Sequence, residues 1–172
     1  MARPRARLSL KGRALQLLAQ RDQSRLELRG KLLRYAAAEA RARAAEVKEG
    51  AGGAKDEPDD EGDRRHEEVE ALLDWLEANR YLSAERFAES RIHAREARFG
   101  NRRIRAELAQ HGVALSAEAA QALAESELQR ATAVRERRFR EPPQDASERA
   151  AQARFLAGRG FSPEVIQRVL RR

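Results

Sequence analysis

The chain has 172 residues, with 35 Lys and Arg against 28 Asp and Glu, a net charge of +7, and no cysteine. The missing thiol excludes disulfides, cysteine-based zinc sites and thiol catalysis. Although 41% of the residues are hydrophobic, 34 of them are alanines and the chain has one Trp, two Tyr and five Phe, so thin stacked helical layers are expected in place of one thick core.

Taken in order, Met1 to Lys11 is basic and no apolar run follows it. It does not read as a secretory signal, and no later stretch approaches the roughly 18 apolar residues of a membrane span. The first recognisable turn is Leu18-Ala19-Gln20-Arg21-Asp22-Gln23-Ser24-Arg25-Leu26-Glu27. Residues 35–49, rich in Ala, Arg and Glu, extend a helix with few anchors. Residues 50–63 hold no large apolar side chain and read as a flexible acidic linker. Residues 46–70 carry eleven acids against four bases, which leaves the remainder of the chain strongly positive. Glu57, Asp59, Glu61, Gly62 and Glu68 fall near the spacing of a calcium loop, but Glu opens it and Pro58 follows, so a solvated linker is preferred.

Val69, Leu72, Leu73 and Leu76 then follow the i, i+3, i+4, i+7 pattern of an amphipathic helix. The turn pattern returns at Leu76 to Glu85, at Leu108 to Glu118 and at Leu156 to Glu164. Each copy is a helix end, a turn and a serine opening a new helix. Ser24, Ser83, Ser116 and Ser162 suit the N-cap, where a hydroxyl accepts from an unpaired N–H. Ser24 with Glu27 fits a capping box, and Leu82 with Phe87, like Phe161 with Ile166, fits the hydrophobic staple. Gly112 and Gly160 sit where a helix must leave in the left-handed conformation, and Pro163 sits at a first helical position. Arg140-Glu141-Pro142-Pro143 marks a further boundary. Val165, Ile166, Val169 and Leu170 form the last stripe. No segment alternates with period two, so the class is all-α.

The sharpest candidate site is Arg91, Arg95, Arg98, Arg102, Arg103 and Arg105, opposed over that span by Glu96 alone. Gly100 is read as a helix stop and Asn101 as the cap of the next helix. Arg102 and Arg103 then lie in a first turn, where the helix dipole disfavours cations. Such a start is understandable if an anion binds there. His66, His93 and His111 stand on separate segments, so no metal site is expected. No nucleophile–base pair, phosphate-cradling loop or dinucleotide fingerprint is present, so neither enzyme activity nor a cofactor is expected. Trp75 and Phe87 are assigned to the core rather than to base stacking.

Leu72 to Ser90, containing Asp74-Trp75-Leu76-Glu77-Ala78-Asn79-Arg80-Tyr81-Leu82-Ser83, resembles the RecX family, regulators of the RecA recombinase. So do Phe99-Gly100-Asn101-Arg102-Arg103-Ile104-Arg105 with His111-Gly112-Val113, and Ala153 to Ser162 with Val165-Ile166 and Val169-Leu170. Ser24 to Leu28 and Arg138-Phe139 add flanking matches. The order and spacing agree over most of the chain. Two departures are the enlarged link over residues 35–63 and Arg140, where the family usually has Gly.

The resemblance implies three tandem three-helix modules in an elongated, curved array. These are placed at 1–45, 65–125 and 126–172, with the acidic linker at 46–64. It also implies a cytoplasmic monomer that binds the groove of the RecA–single-stranded-DNA filament. There the family limits filament growth, ATP hydrolysis, strand exchange and coprotease activity. The rival reading is a helix-turn-helix protein that binds DNA directly, without RecA. Glu85 and Glu89 on its reading helix would meet phosphates.

Overall fold

The computed structural model describes residues 7–50 and 60–171, and among them the chain forms eight helices and no strand. These are α1 (Leu10–Gln20), α2 (Arg25–Gly50), α3 (Asp60–Ala78), α4 (Ala84–Glu96), α5 (Asn101–Gln110), α6 (Ala117–Arg138), α7 (Ala146–Gly158) and α8 (Pro163–Leu170). The chain divides into two compact units between Ala84 and Glu85. Both ends of the acidic segment are helical, since α2 runs to Gly50 and α3 begins at Asp60. Glu57 and Asp59 of the calcium-like spacing lie outside the described residues.

The first unit is built on one core. Ala14 and Leu17 of α1, Leu28 and Leu32 of α2, and Val69, Leu73 and Leu76 of α3 bury together with Leu82. The α3 stripe therefore belongs with the helices before the linker and not with a second module opening at residue 65. The reason lies in complementary faces: α1 offers Ala14 and Leu17 and α2 offers Leu28 and Leu32, apolar layers against which the α3 stripe buries. Charge reinforces the pairing. Arg25 of α2 reaches Glu70, Asp74 and Glu77 of α3 at 2.7, 2.8 and 2.8 Å. The guanidinium groups of Arg29 and Arg25 hold the Glu70 carboxyl below the usual carboxylate range.

The capping box at Ser24 is half formed. Glu27 N–H donates to Ser24 Oγ at 3.1 Å, but the Glu27 carboxylate takes Arg21 and Lys31. Trp75 is half-buried against this core, stacked on Tyr81 at 5.6 Å and covered by Lys11 Nζ at 3.4 Å.

The second unit holds two cores that share a helix. Phe87 and Ala88 of α4, Ile104 and Leu108 of α5, Val113, and Leu123 of α6 form one. Ala131 and Val134 of α6, Leu156 of α7, Phe161, and Val165, Ile166, Val169 and Leu170 of α8 form the other. Residues 117–138 contain no Gly or Pro. One uninterrupted α6 thus closes the first core with its N-terminal half and opens the next with its C-terminal half. Ser116 caps α6 by accepting from Ala119 N–H at 3.2 Å. Gly112 and Gly160 take φ of +69° and +82°, the left-handed values their turns require.

Candidate binding face

The six arginines do not act as one group. Arg91 and Arg95 on α4 converge on Glu107 of α5, at 3.3 and 3.0 Å. The Arg95 hydrogen bonds, then the charges of Arg95 and Arg91, hold the Glu107 carboxyl below its ordinary range. Both arginines are half-buried and fasten α4 to α5. Arg98, Arg102, Arg103 and Arg105 are exposed, and no carboxylate among the described residues lies within ion-pair distance of them.

The start of α5 differs from the expectation in an instructive way. Gly100 is the N-cap and makes no side-chain cap bond, and the Asn101 side chain is buried. Asn101 Nδ2 donates to the Leu123 carbonyl at 3.0 Å, and Asn101 Oδ1 accepts from Arg130. The anion that a first turn loaded with arginine calls for comes from the chain itself. Glu127 of α6, 4% exposed, accepts from Asn101 N–H at 3.0 Å. The same carboxylate accepts from Ser162 N–H at 3.2 Å and from Ser162 Oγ at 3.1 Å. One buried carboxylate therefore faces the positive ends of α5 and α8 together. This is why Ser162 does not cap α8 with its own hydroxyl.

Backbone contacts complete the joint. Gly100 N–H donates to the Arg159 carbonyl at 2.9 Å, and Arg102 N–H to the Gly160 carbonyl at 3.0 Å. A Cβ at Gly100 would lie 2.3 Å from Phe161 N and Cα, and one at Gly160 would lie 2.6 Å from Arg103 Cβ. Gly100 is thus a point of close approach between two backbones rather than only a helix stop. Arg130, half-buried, donates to the carbonyls of Glu96, Phe99 and Leu123 at 3.3, 2.8 and 3.0 Å. Burial lowers its pKa, against the opposing pull of Glu127 and Glu96.

The Asn101 and Arg102 N–H groups at the start of α5 are occupied by Glu127 and the Gly160 carbonyl, and the exposed arginine side chains are what the face offers a partner. Phe99 carries the guanidinium of Arg103 over its ring at 4.2 Å, with Arg98 at 5.7 Å and Arg159 at 5.9 Å. Arg159 also lies 4.8 Å from the Phe155 ring, and Phe155 packs edge-on to Phe139 at 5.3 Å. Stacking on a ring holds the guanidinium plane and leaves N–H edges for an oxyanion. Arg159 carries no local signal in the sequence, because it lies 54 positions beyond Arg105 and only the glycine joint brings it to Phe99. Glu127 and Arg130, one turn apart in the middle of α6, carried a weak signal as an i, i+3 pair of opposite charge.

Such a fold and face define a tandem three-helix repeat protein with an exposed arginine surface. Family models described as the second and third three-helix domains of RecX match residues 85–123 and 125–170. Curated proteins named Regulatory protein RecX are similar over nearly the whole chain. The Ralstonia nicotianae protein is 43% identical, covering 99% of this chain and 91% of the relative. The Herbaspirillum seropedicae protein is 44% identical, covering 95% and 90%. A crystal structure of RecX from Lactobacillus salivarius shares the fold, with a TM-score of 0.62 at 14% identity over 94% of this chain and 92% of that one. The chain belongs to the RecX family of regulatory proteins. No helix among the described residues is long and apolar enough to cross a membrane.

Proposed function

We propose that this protein regulates the RecA recombinase, mainly as an inhibitor. It binds as a cytoplasmic monomer in the groove of the RecA–single-stranded-DNA filament. There it limits filament growth, ATP hydrolysis, strand exchange and coprotease activity, and performs no catalysis of its own. The observation that carries this reading is similarity to proteins named RecX along almost the entire chain. The exposed guanidinium groups of Arg98, Arg102, Arg103 and Arg105 support it, because acidic protein surfaces and DNA phosphates both attract such a face. Arg91 and Arg95 serve the site indirectly, by fixing α4 on α5 through Glu107.

Adding the wild-type chain to RecA on single-stranded DNA should suppress ATP hydrolysis. Changing Arg102, Arg103 and Arg105 together to Ala should raise the concentration needed for half-inhibition about tenfold or more, a loss of ~1.4 kcal/mol of binding or greater. An unchanged half-inhibition concentration in a folded triple variant would show that this face is not the contact. The direct DNA-binding reading predicts instead tight, sequence-selective duplex binding without RecA. Glu85 and Glu89, both exposed on α4, would oppose phosphates on that helix.

A further inference from the structure

The arginine surface continues past α5 into a concavity that the sequence did not reveal. In the second unit a pocket of about 240 Å³ is lined by Arg98, Arg137, Arg138 and Arg159, with Val134 and Phe155 among its apolar residues. It lies where the loop after α4 meets the end of α6 and the end of α7. No lining residue is acidic. Three nearby carboxylates are engaged elsewhere: Glu107 with Arg91 and Arg95, Glu127 with Asn101 and Ser162, and Glu136 with Arg135.

Four like charges around one small pocket repel unless something separates or neutralises them. Here two of them are tied in place. Arg137 Nη2 donates to the Ala97 carbonyl at 2.5 Å and Arg159 Nη1 to the Arg98 carbonyl at 3.3 Å. Arg138 and Arg159 are further held against the rings of Phe139 and Phe155, at 5.3 and 4.8 Å. The positive pocket is therefore preorganised rather than a chance meeting of mobile side chains.

The geometry points to this pocket as a seat for a phosphodiester of a nucleic-acid strand, a single strand in the filament. That last identity rests on the function proposed above. A planar guanidinium fork fits phosphate oxygens in pairs. Arg103 shares the Phe99 ring with the pocket's Arg98 and Arg159, which joins the pocket to the start of α5, where Arg102 and Arg105 are also exposed. A continuous polyanion satisfies both regions at once, whereas an acidic peptide offers carboxylates at irregular spacing.

The test uses the full-length chain and a labelled oligo-dT, with binding followed by fluorescence anisotropy across a salt series. Arg137→Ala/Arg138→Ala removes two pocket charges. Arg138→Ala alone leaves both main-chain tethers in place and serves as the variant that spares the fold. Arg168→Ala removes one charge from an exposed α8 position outside the pocket. Loss of phosphate contacts should flatten the slope of log K against log salt by about 0.7 per contact. The double variant should therefore lose about 1.4 of slope, Arg138→Ala about half of that, and Arg168→Ala should track the wild type.

Pocket variants that track Arg168→Ala overturn the proposal. So does a pocket loss that appears with polyglutamate and not with DNA. A duplex of the same sequence that loses as much slope as the single strand keeps the phosphodiester seat and overturns the single-strand identity. If the wild-type chain leaves RecA ATP hydrolysis untouched while the slope difference stands, the functional reading fails and the phosphate seat is supported.

Discussion

Glu127 holds the second unit together with two oxygens. It takes the N–H of Asn101 and both the N–H and hydroxyl of Ser162, while its own helix, α6, carries Arg130 to the carbonyls before α5. Truncation would leave several buried donors without a partner, which is the expensive direction of hydrogen-bond loss. We expect Glu127→Ala to destabilise the second unit by about 3 kcal/mol, and Glu127→Gln, which keeps one acceptor oxygen, by clearly less. Urea unfolding together with amide exchange at Asn101 and Ser162 reads this. Unchanged protection at both amides would refute the role. At this scale the sequence was partly legible. The clash between Arg102, Arg103 and the helix dipole is visible in the sequence as a place that suits a bound anion, and the structure puts a carboxylate of the chain's own at the adjoining Asn101 N–H. Which anion was hidden, because Glu127 lies 26 positions from Asn101 in a stretch whose composition looks like an ordinary solvated helix.

Among the elements, the serine-opened turns were legible because their signals are local. Ser24 and Ser116 accept from the N–H groups three residues on, and Gly112 and Gly160 adopt the left-handed backbone. Ser162 departs because a long-range carboxylate outcompetes its local cap. Gly100 was legible as punctuation but not as a contact. Its lack of Cβ lets two main chains touch, and nothing near it in the sequence names the partner. Gly100→Ala places a methyl against Phe161 backbone atoms, which cannot swing away as a side chain could. The expected cost is about 2–4 kcal/mol, with loss of the Gly100-to-Arg159 and Arg102-to-Gly160 bonds. A variant with an unfolding midpoint equal to the wild type would show that the joint is looser than described.

For the molecule as a whole, the helical class and the repeat could be read from spacing, but the partition of helices among cores could not. The α3 stripe is as compatible with a following partner as with a preceding one; the choice falls to Leu28 and Leu32 of α2 and to the Arg25 ion pairs. Likewise, an unbroken α6 spans the boundary between the two matched RecX domains, so no composition shift marks it. The arginine surface was half legible: Arg98, Arg102, Arg103 and Arg105 are local neighbours, whereas Arg137, Arg138 and Arg159 join them only through folding. The most direct test of the regulatory reading is capture of the full-length chain on immobilised RecA–single-stranded-DNA filaments at physiological salt, beside bare single-stranded DNA. The account predicts much stronger retention on the filament, accompanied by slower ATP hydrolysis. Equal retention on both, with RecA activity unaltered, would contradict it.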